Sequence, residues 1–340
     1  MDEEEKSVLL AAYNEHVSLA KLERDFYRQQ CVDSKHVCSE NNTFEGAPAC
    51  STPIKNHYSW DYAQQVHYPH HSQEVGPIYF KTAKKCEVFG VCCEGTGKQV
   101  FYLANEGESP GKGANTVVSY MHHYLHHYGL GEEEAVFHFD NCAGQNKNNC
   151  VLWYALWRVI VGLHTRMQYS MMVTGHTKFE PDWHFGLWKS KWRLCDAETI
   201  EAVAETVSTS SRSGHNVPHM VGDSEKPVHF HDWKTFLSQF FIPMKNISKY
   251  QHFLIDAGKP GWVCCKTSEN SLVESHCLLK SADLLPSMSS QSCPARIKGP
   301  GLSSARQWYL YEEIGQFFKS DLSRQATCPK PKSKKQKLSV

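Results

Sequence analysis

Ala135-Val136-Phe137-His138-Phe139-Asp140-Asn141-Cys142-Ala143-Gly144-Gln145-Asn146-Lys147-Asn148-Asn149 is the stretch on which the reading of this chain turns. An apolar run stops at an acid, a polar turn containing Gly144 follows, and residues 150–161 are then apolar on almost every side. That order predicts a buried strand, a loop and a buried helix. A strand buried on both faces belongs to a parallel sheet covered by helices. Such sheets bind their ligands beyond the carboxyl ends of the strands, which is where Asp140 would stand. Taken alone, Asp140 and Asn141 read equally well as caps of the next helix.

Working outward, 340 residues suffice for one large domain with appendages. Lys+Arg and Asp+Glu both number 36, so net charge points to no nucleic-acid partner and any such signal must be local. The acidic start Met1-Asp2-Glu3-Glu4-Glu5-Lys6 lacks the pattern of a signal peptide. The most apolar helix, 151–163, is too short for a bilayer and carries Arg158. These features predict a soluble intracellular protein with no membrane partner. The 14 cysteines include the adjacent pairs Cys92-Cys93 and Cys264-Cys265 and show no CxxC or zinc-finger spacing. Free, mostly buried thiols are expected rather than a disulfide framework.

Residues 3–30 have helical periodicity, and 31–53 read as a linker. Residues 57–63 alternate, with Tyr58, Trp60 and Tyr62 on one face and Asp61 on the other. A polar, His-bearing connection follows. Residues 86–93 and 98–103 then form a hairpin around Glu94-Gly95-Thr96-Gly97. A helix over 114–128, the strand ending at Asp140, a helix over 148–161, a strand over 167–174 and a helix opened by Pro181 complete the order. Strands one to three can make an antiparallel meander, whereas the later ones need helical crossovers and run parallel to the first. Beyond Arg193 the signals mix: a helix near 197–207, an aromatic segment, a hairpin around 253–265, a Ser/Pro-rich stretch over 281–301 and an amphipathic helix over 303–318.

Three acids fall at matching places: Asp61 on the first strand, Asp140 after the fourth, and Asp182 opening the helix after the fifth. Adjacent parallel strands would set Asp61 beside Asp140, with Asp182 across the mouth. Three carboxylates without a counter-ion repel one another. Mg²⁺ or Mn²⁺ relieves that repulsion with oxygen ligands, and two such ions suit in-line attack on a phosphodiester.

The order of elements and the acids resemble the ribonuclease H-like, retroviral-integrase-like fold of DDE/DDD transposases. The phrases Tyr58-Ser59-Trp60-Asp61-Tyr62-Ala63-Gln64-Gln65, Asp140 to Asn149, and Gly175-His176-Thr177 through Asp182 are similar to a widespread animal family of transposon-derived proteins that carries a domain of unknown function. The resemblance covers about residues 54–320. It implies an α/β, five-stranded mixed sheet, antiparallel over its first three strands and parallel at strands four and five, flanked by helices and with helical appendages at both ends. It implies Asp61, Asp140 and Asp182 as catalytic metal ligands for two Mg²⁺ or Mn²⁺ ions, with DNA as partner. Glu180, before Pro181, competes with Asp182 for the third place.

Gln145, Asn146, Lys147 and His176 are the candidate substrate-binding residues, each also readable as a loop or cap residue. His122, His123, His126 and His127 lack the companion ligands of a zinc site. His67, His70 and His71 read as a solvated loop near the mouth. Lys330, Lys332, Lys334, Lys335 and Lys337 form a basic tail of nuclear-localisation type.

The expected organisation is an N-terminal helix and linker over 1–53, a remnant of an upstream domain. A core over 54–195, a C-terminal extension over 196–325 packed on it, and a disordered basic tail over 326–340 follow. Two functions compete: a nuclear, metal-dependent phosphodiesterase or strand-transfer enzyme, and a catalytically inactive domesticated descendant acting as a nuclear nucleic-acid-binding or interaction module. Both are compatible with a homo-oligomer.

Overall fold

The computed structural model describes residues 2–73, 76–173, 175–176, 178–288 and 294–334. Helix α1 (Glu3–Glu40) comes first, followed by strands β1 (Thr52–Tyr62), β2 (Val66–Tyr68), β3 (Lys84–Cys93) and β4 (Lys98–Asn105). Then α2 (Ala114–His127), β5 (Glu132–Phe139), α3 (Asn149–Ile160), β6 (Arg166–Met171), α4 (Glu180–Trp192) and α5 (Ile200–Ser208) alternate. The remainder comprises β7 (Asn216–Met220), α6 (Trp233–Leu237), β8 (His252–Asp256), β9 (Trp262–Lys266), β10 (Glu274–Cys277), α7 (Ser304–Tyr309) and α8 (Asp321–Thr327).

All strands join one mixed α/β sheet of ten strands in the order β10-β9-β8-β6-β5-β1-β3-β4-β7, with β2 on β3. The expected five strands are therefore only its middle. β1 pairs antiparallel with β3, and β3 with β4, while β5 lies parallel to both β1 and β6. The C-terminal extension lengthens the sheet at both edges: β7 runs parallel to β4, and β8 antiparallel to β6. Sequence reasoning missed β2, β7 and β10, which are three to five residues long. Strands so short carry too little alternation to be read, and their edge pairing supplies the order.

One face is apolar. Tyr58, Trp60, Phe137, Phe139 and Tyr169 pack there under α2 and α3, whose residues join the same core. The other face is divided. Val88, Phe101 and Leu103 lie beneath Phe185, Trp188 and Trp192 of α4, which are the inward residues that the helical spacing predicts. Gly90 opposes Asp61 in the β1–β3 pairing, and a Cβ there would stand 2.6 Å from the Phe185 ring. Only glycine lets α4 approach the strand this closely.

The rest of that face lies under α1, and its composition is polar. The helix begins with a capping box, Glu5 N–H donating to Asp2 at 2.7 Å and Asp2 N–H to Glu5 at 3.1 Å. It runs to Glu40, so the linker expected from Cys31 starts ten residues later. Cys31 and Ser34 are buried there. Ser34 donates to Asn56 at 2.6 Å, and tertiary contact of this kind keeps a weakly periodic segment helical.

The helix expected over 303–318 is one helical run over 304–317 that changes pitch. α7 ends at Tyr309, and a π-helical turn over Leu310–Ile314 and a 3₁₀ turn over Gly315–Phe317 follow. Residues 289–293 of the Ser/Pro-rich stretch, and Lys335 and Lys337 of the tail, lie outside the described residues. No described helix is long and apolar enough to cross a membrane. The thirteen described cysteines are free thiols.

Candidate active site

The β1–β5 register runs through Tyr58 opposite Phe137 and Ser59 opposite His138. Two residues beyond this last pair stand Asp61, on the same face of β1 as Ser59, and Asp140, the first residue after β5. Asp61 spends Oδ1 on the N–H of Tyr62 at 2.7 Å. Burial, then the charges of Asp140 and Asp182, push its carboxyl up to about 7. Its neighbours therefore make it hard to ionise.

Asp140 is fixed by its own loop. Its Oδ1 accepts from Cys142 N–H at 3.0 Å and from the Asn146 amide at 2.5 Å. Asn146 is buried, and its Oδ1 accepts the indole N–H of Trp60 at 3.0 Å. A core tryptophan on the first strand thus orients the acid on the neighbouring one. Both ends of the Asn146 amide are used inside the protein, so its place is behind Asp140 rather than on a substrate. The cap of α3 is Asn148, which accepts from Val151 N–H at 3.1 Å, and not Asp140 or Asn141, which lie seven or more residues ahead of it.

Lys147 is also buried, its ammonium 2.9 Å from Asn141 Oδ1 and 3.5 Å from Gln251 Oε1. Burial pulls it down to about 8. Gln145 is half-buried in the loop, and its carbonyl accepts from the Asn148 amide at 3.1 Å. His176 is half-buried, with its ring centroid 5.1 Å from that of His16 in α1.

Asp182 stands in the first turn of α4 and accepts the N–H of Phe179 at 3.2 Å. Burial raises its carboxyl, opposed by that backbone bond and by Lys178 and Lys189. Of the two acids around Pro181, Asp182 is the one whose charge acts on Asp61, while Glu180 acts on Glu94. Asp61, Asp140 and Asp182 thus share one electrostatic neighbourhood. Yet among the described residues no group of three or more His, Cys, Asp or Glu side chains is gathered tightly enough to hold a metal ion. Each of the three carboxylates accepts from a backbone N–H of its own segment.

Beside them lies a polar layer that the sequence did not reveal. Glu94, fully buried, accepts from Tyr27 OH at 2.7 Å and Ser59 OH at 2.5 Å, and burial pushes it up to about 7. His57 and His138 share a 2.7 Å hydrogen bond, and burial draws both well below the usual imidazole range. His252 lies 2.8 Å from Glu23 of α1 and 2.9 Å from Ser170. The one available signal was alternation, since His57, Ser59 and Asp61 share a face of β1. Glu94 sits in a Glu-Gly-Thr-Gly turn that reads as solvated.

His122 and His123 are tied into the fold. His122 reaches Tyr154 OH at 3.2 Å, and His123 bonds Tyr102 OH and the Lys226 carbonyl, each at 2.9 Å. The loop after Asp61 is less solvated than expected. His71 is buried and holds the Phe317 carbonyl at 2.9 Å, and His70 stacks on Trp192 with centroids 4.3 Å apart. His67 alone of the three is exposed.

The family model described as a domain of unknown function, DUF7869, matches residues 81–272, more than half of the chain. The match spans Asp140 and Asp182 and begins after Asp61. No curated protein and no solved structure matches the chain.

Proposed function

The chain belongs to the DUF7869 family, and from its acid cluster we propose metal-dependent hydrolysis or strand transfer of nucleic-acid phosphodiesters. The observation that carries this reading is the placing of Asp61 and Asp140 at the carboxyl ends of two parallel neighbours, β1 and β5, with the charges of Asp140 and Asp182 both reaching Asp61. The middle of the sheet supports it. The run β4-β3-β1-β5-β6, antiparallel then parallel, is the strand order and sense expected of a ribonuclease H-like, transposase-derived core.

The donor chemistry suits Mg²⁺ or Mn²⁺. Asp61 and Asp140 would hold the ion from the sheet and Asp182 from α4, all with oxygen, the ligand that hard cations prefer. Bound there, the ion would activate water or a hydroxyl and stabilise the leaving oxygen. The chain's own residues do the rest. Asn146 and Trp60 hold Asp140 in one rotamer. Lys147, half-neutral near pH 8, stands two residues beyond Gln145 on the same loop. Gln145 and His176, both half-buried, are the candidate side chains for phosphate or sugar oxygens.

Calorimetric titration with Mn²⁺ and a plasmid-nicking assay test the reading, with Asp140→Asn as the control. Asparagine keeps an acceptor for Cys142 N–H and Asn146, so the fold should persist while metal binding and nicking disappear. Equal nicking by variant and parent would place the activity elsewhere.

The open geometry of the acids favours a second reading, in which the chain is a catalytically inactive descendant that keeps the fold as a nuclear nucleic-acid-binding or interaction module. Absence of metal binding by the parent protein would select it. Nuclear localisation through the basic tail belongs to both readings.

A further inference from the structure

Helices α1 and α4 wall a groove that opens into a cavity of about 1100 Å³, with Asp182 on one side and the buried Glu94 among its lining. Arg28 and Lys35 line it from α1, and Lys178 from the segment ahead of α4. Two of these cations have loose acidic neighbours: Arg28 lies 3.5 Å from Asp25 and Lys35 3.9 Å from Glu180, with both cations well exposed and Glu180 half-buried. Exposed pairs of this kind contribute little and yield readily to a phosphate. Among the described residues Lys178 has no ion pair.

Trp183, which directly follows Asp182, lines the same cavity and is 56 % exposed. An exposed indole that shares a groove with three cations and a candidate catalytic acid has the make-up of a stacking platform with a phosphate-binding lining. Duplex bases hide their faces in the helical stack, so an exposed ring of this kind favours an unpaired base.

We propose that the α1–α4 groove binds single-stranded DNA, with Arg28, Lys35 and Lys178 on its phosphates and Trp183 stacked on a base, and so presents the strand to the acids. This rests on the phosphodiester reading of Asp61, Asp140 and Asp182 and adds the form of the substrate and its path. It also gives α1 a role. The helix supplies one wall of the groove, held in place by Tyr27 on Glu94. Glu180 and Asp182 also line the cavity and repel phosphates when no metal ion is bound, so without metal the hold on the strand falls to the three cations and Trp183.

The test is fluorescence polarisation of a labelled oligonucleotide, single-stranded or annealed, against the full chain carrying Asp140→Asn, in EDTA so that no metal chemistry intervenes. The single strand should bind more tightly than the duplex. Trp183→Ala should weaken it about tenfold, within the range for one stacked base, and Trp183→Phe should recover most of the loss. Lys178→Glu or Arg28→Glu should weaken binding and flatten its salt dependence by about 0.7 in log–log slope per phosphate contact removed. Trp183 and Arg28 are exposed, so melting temperatures should match the parent and exclude unfolding as the cause. Preference for duplex, or parental affinity in Trp183→Ala, overturns the proposal. Loss of binding in these variants, with no cleavage by the parent in any metal, keeps the groove and removes the phosphodiester reading. Metal-dependent cleavage by the parent, with unaltered binding in the groove variants, removes the groove alone.

Discussion

Trp60 and Asp140 are joined through one side chain: the Trp60 indole donates to Asn146 Oδ1 at 3.0 Å, and the Asn146 amide donates to Asp140 Oδ1 at 2.5 Å. The rotamer of an acid at a strand end is thereby tied to the apolar core, where Trp60 stacks on Phe139 with centroids 4.1 Å apart. A solvated loop acid would have no such support. The relay makes Asp140 stiff while Asp61, bonded only to its neighbour's N–H, is left to the charges around it.

Trp60→Phe should therefore act at two levels. It keeps an aromatic ring on Phe139 but leaves Asn146 Oδ1 buried without its donor, a loss of about 1–3 kcal/mol. Urea unfolding should show that loss. Nicking activity should fall further than stability does, because Asp140 is released. An activity loss no larger than that caused by an unrelated core change of equal cost would show that the relay is only structural.

Asp61→Asn should stabilise the protein in a pH-dependent way. The folded carboxyl titrates near 7 while the unfolded one titrates near the ordinary value of 3.8. Between those values the folded state holds the extra proton, so the parent loses stability as pH rises through this window and levels off above it. The variant should be the more stable by an amount that grows from pH 4 to pH 7 and then stays constant, on the order of 4 kcal/mol. Thermal unfolding across that range measures it. A constant difference would mean that Asp61 ionises normally in the fold.

Glu94→Ala should loosen α1. It removes the acceptor for Tyr27 OH and Ser59 OH, both buried, at about 1–3 kcal/mol for each stranded donor. Hydrogen exchange should rise first in the α1 residues around Tyr27 and Cys31, ahead of β1 and β5. Unchanged protection there would show that α1 is held by other contacts, such as Glu23 to His252 and Ser34 to Asn56.

The basic run Lys330, Lys332, Lys334, Lys335 and Lys337 should carry residues 330–340 into the nucleus when fused to an inert reporter too large to diffuse through pores. Replacing the five lysines by glutamine should return the reporter to the cytoplasm. A wild-type fusion that stays cytoplasmic would leave nuclear entry to another segment.

By itself, the sequence determined the alternation of elements and the places of the three acids. The apolar run ending at Asp140, Pro181 in the first turn of α4, and the inward row Phe185, Trp188 and Trp192 were all legible, because local periodicity and turn chemistry act over a few residues. Strands with long, strongly patterned runs, β1, β3, β4, β5 and β6, were found for the same reason. Tertiary structure alone decided which distant residues meet. Nothing local marks Glu94 as buried, and it is so only because Tyr27, 67 residues earlier, lies over it and Ser59 reaches it from the next strand. Nor does any spacing reveal that Asn146 faces Trp60, that Phe185 needs Gly90, or that Asp182 rather than Glu180 acts on Asp61. The extent of α1 beyond residue 30 and the edge strands β7 and β10 are of the same kind. Their own periodicity is weak, and partners far along the chain supply the burial and the hydrogen bonds that hold them.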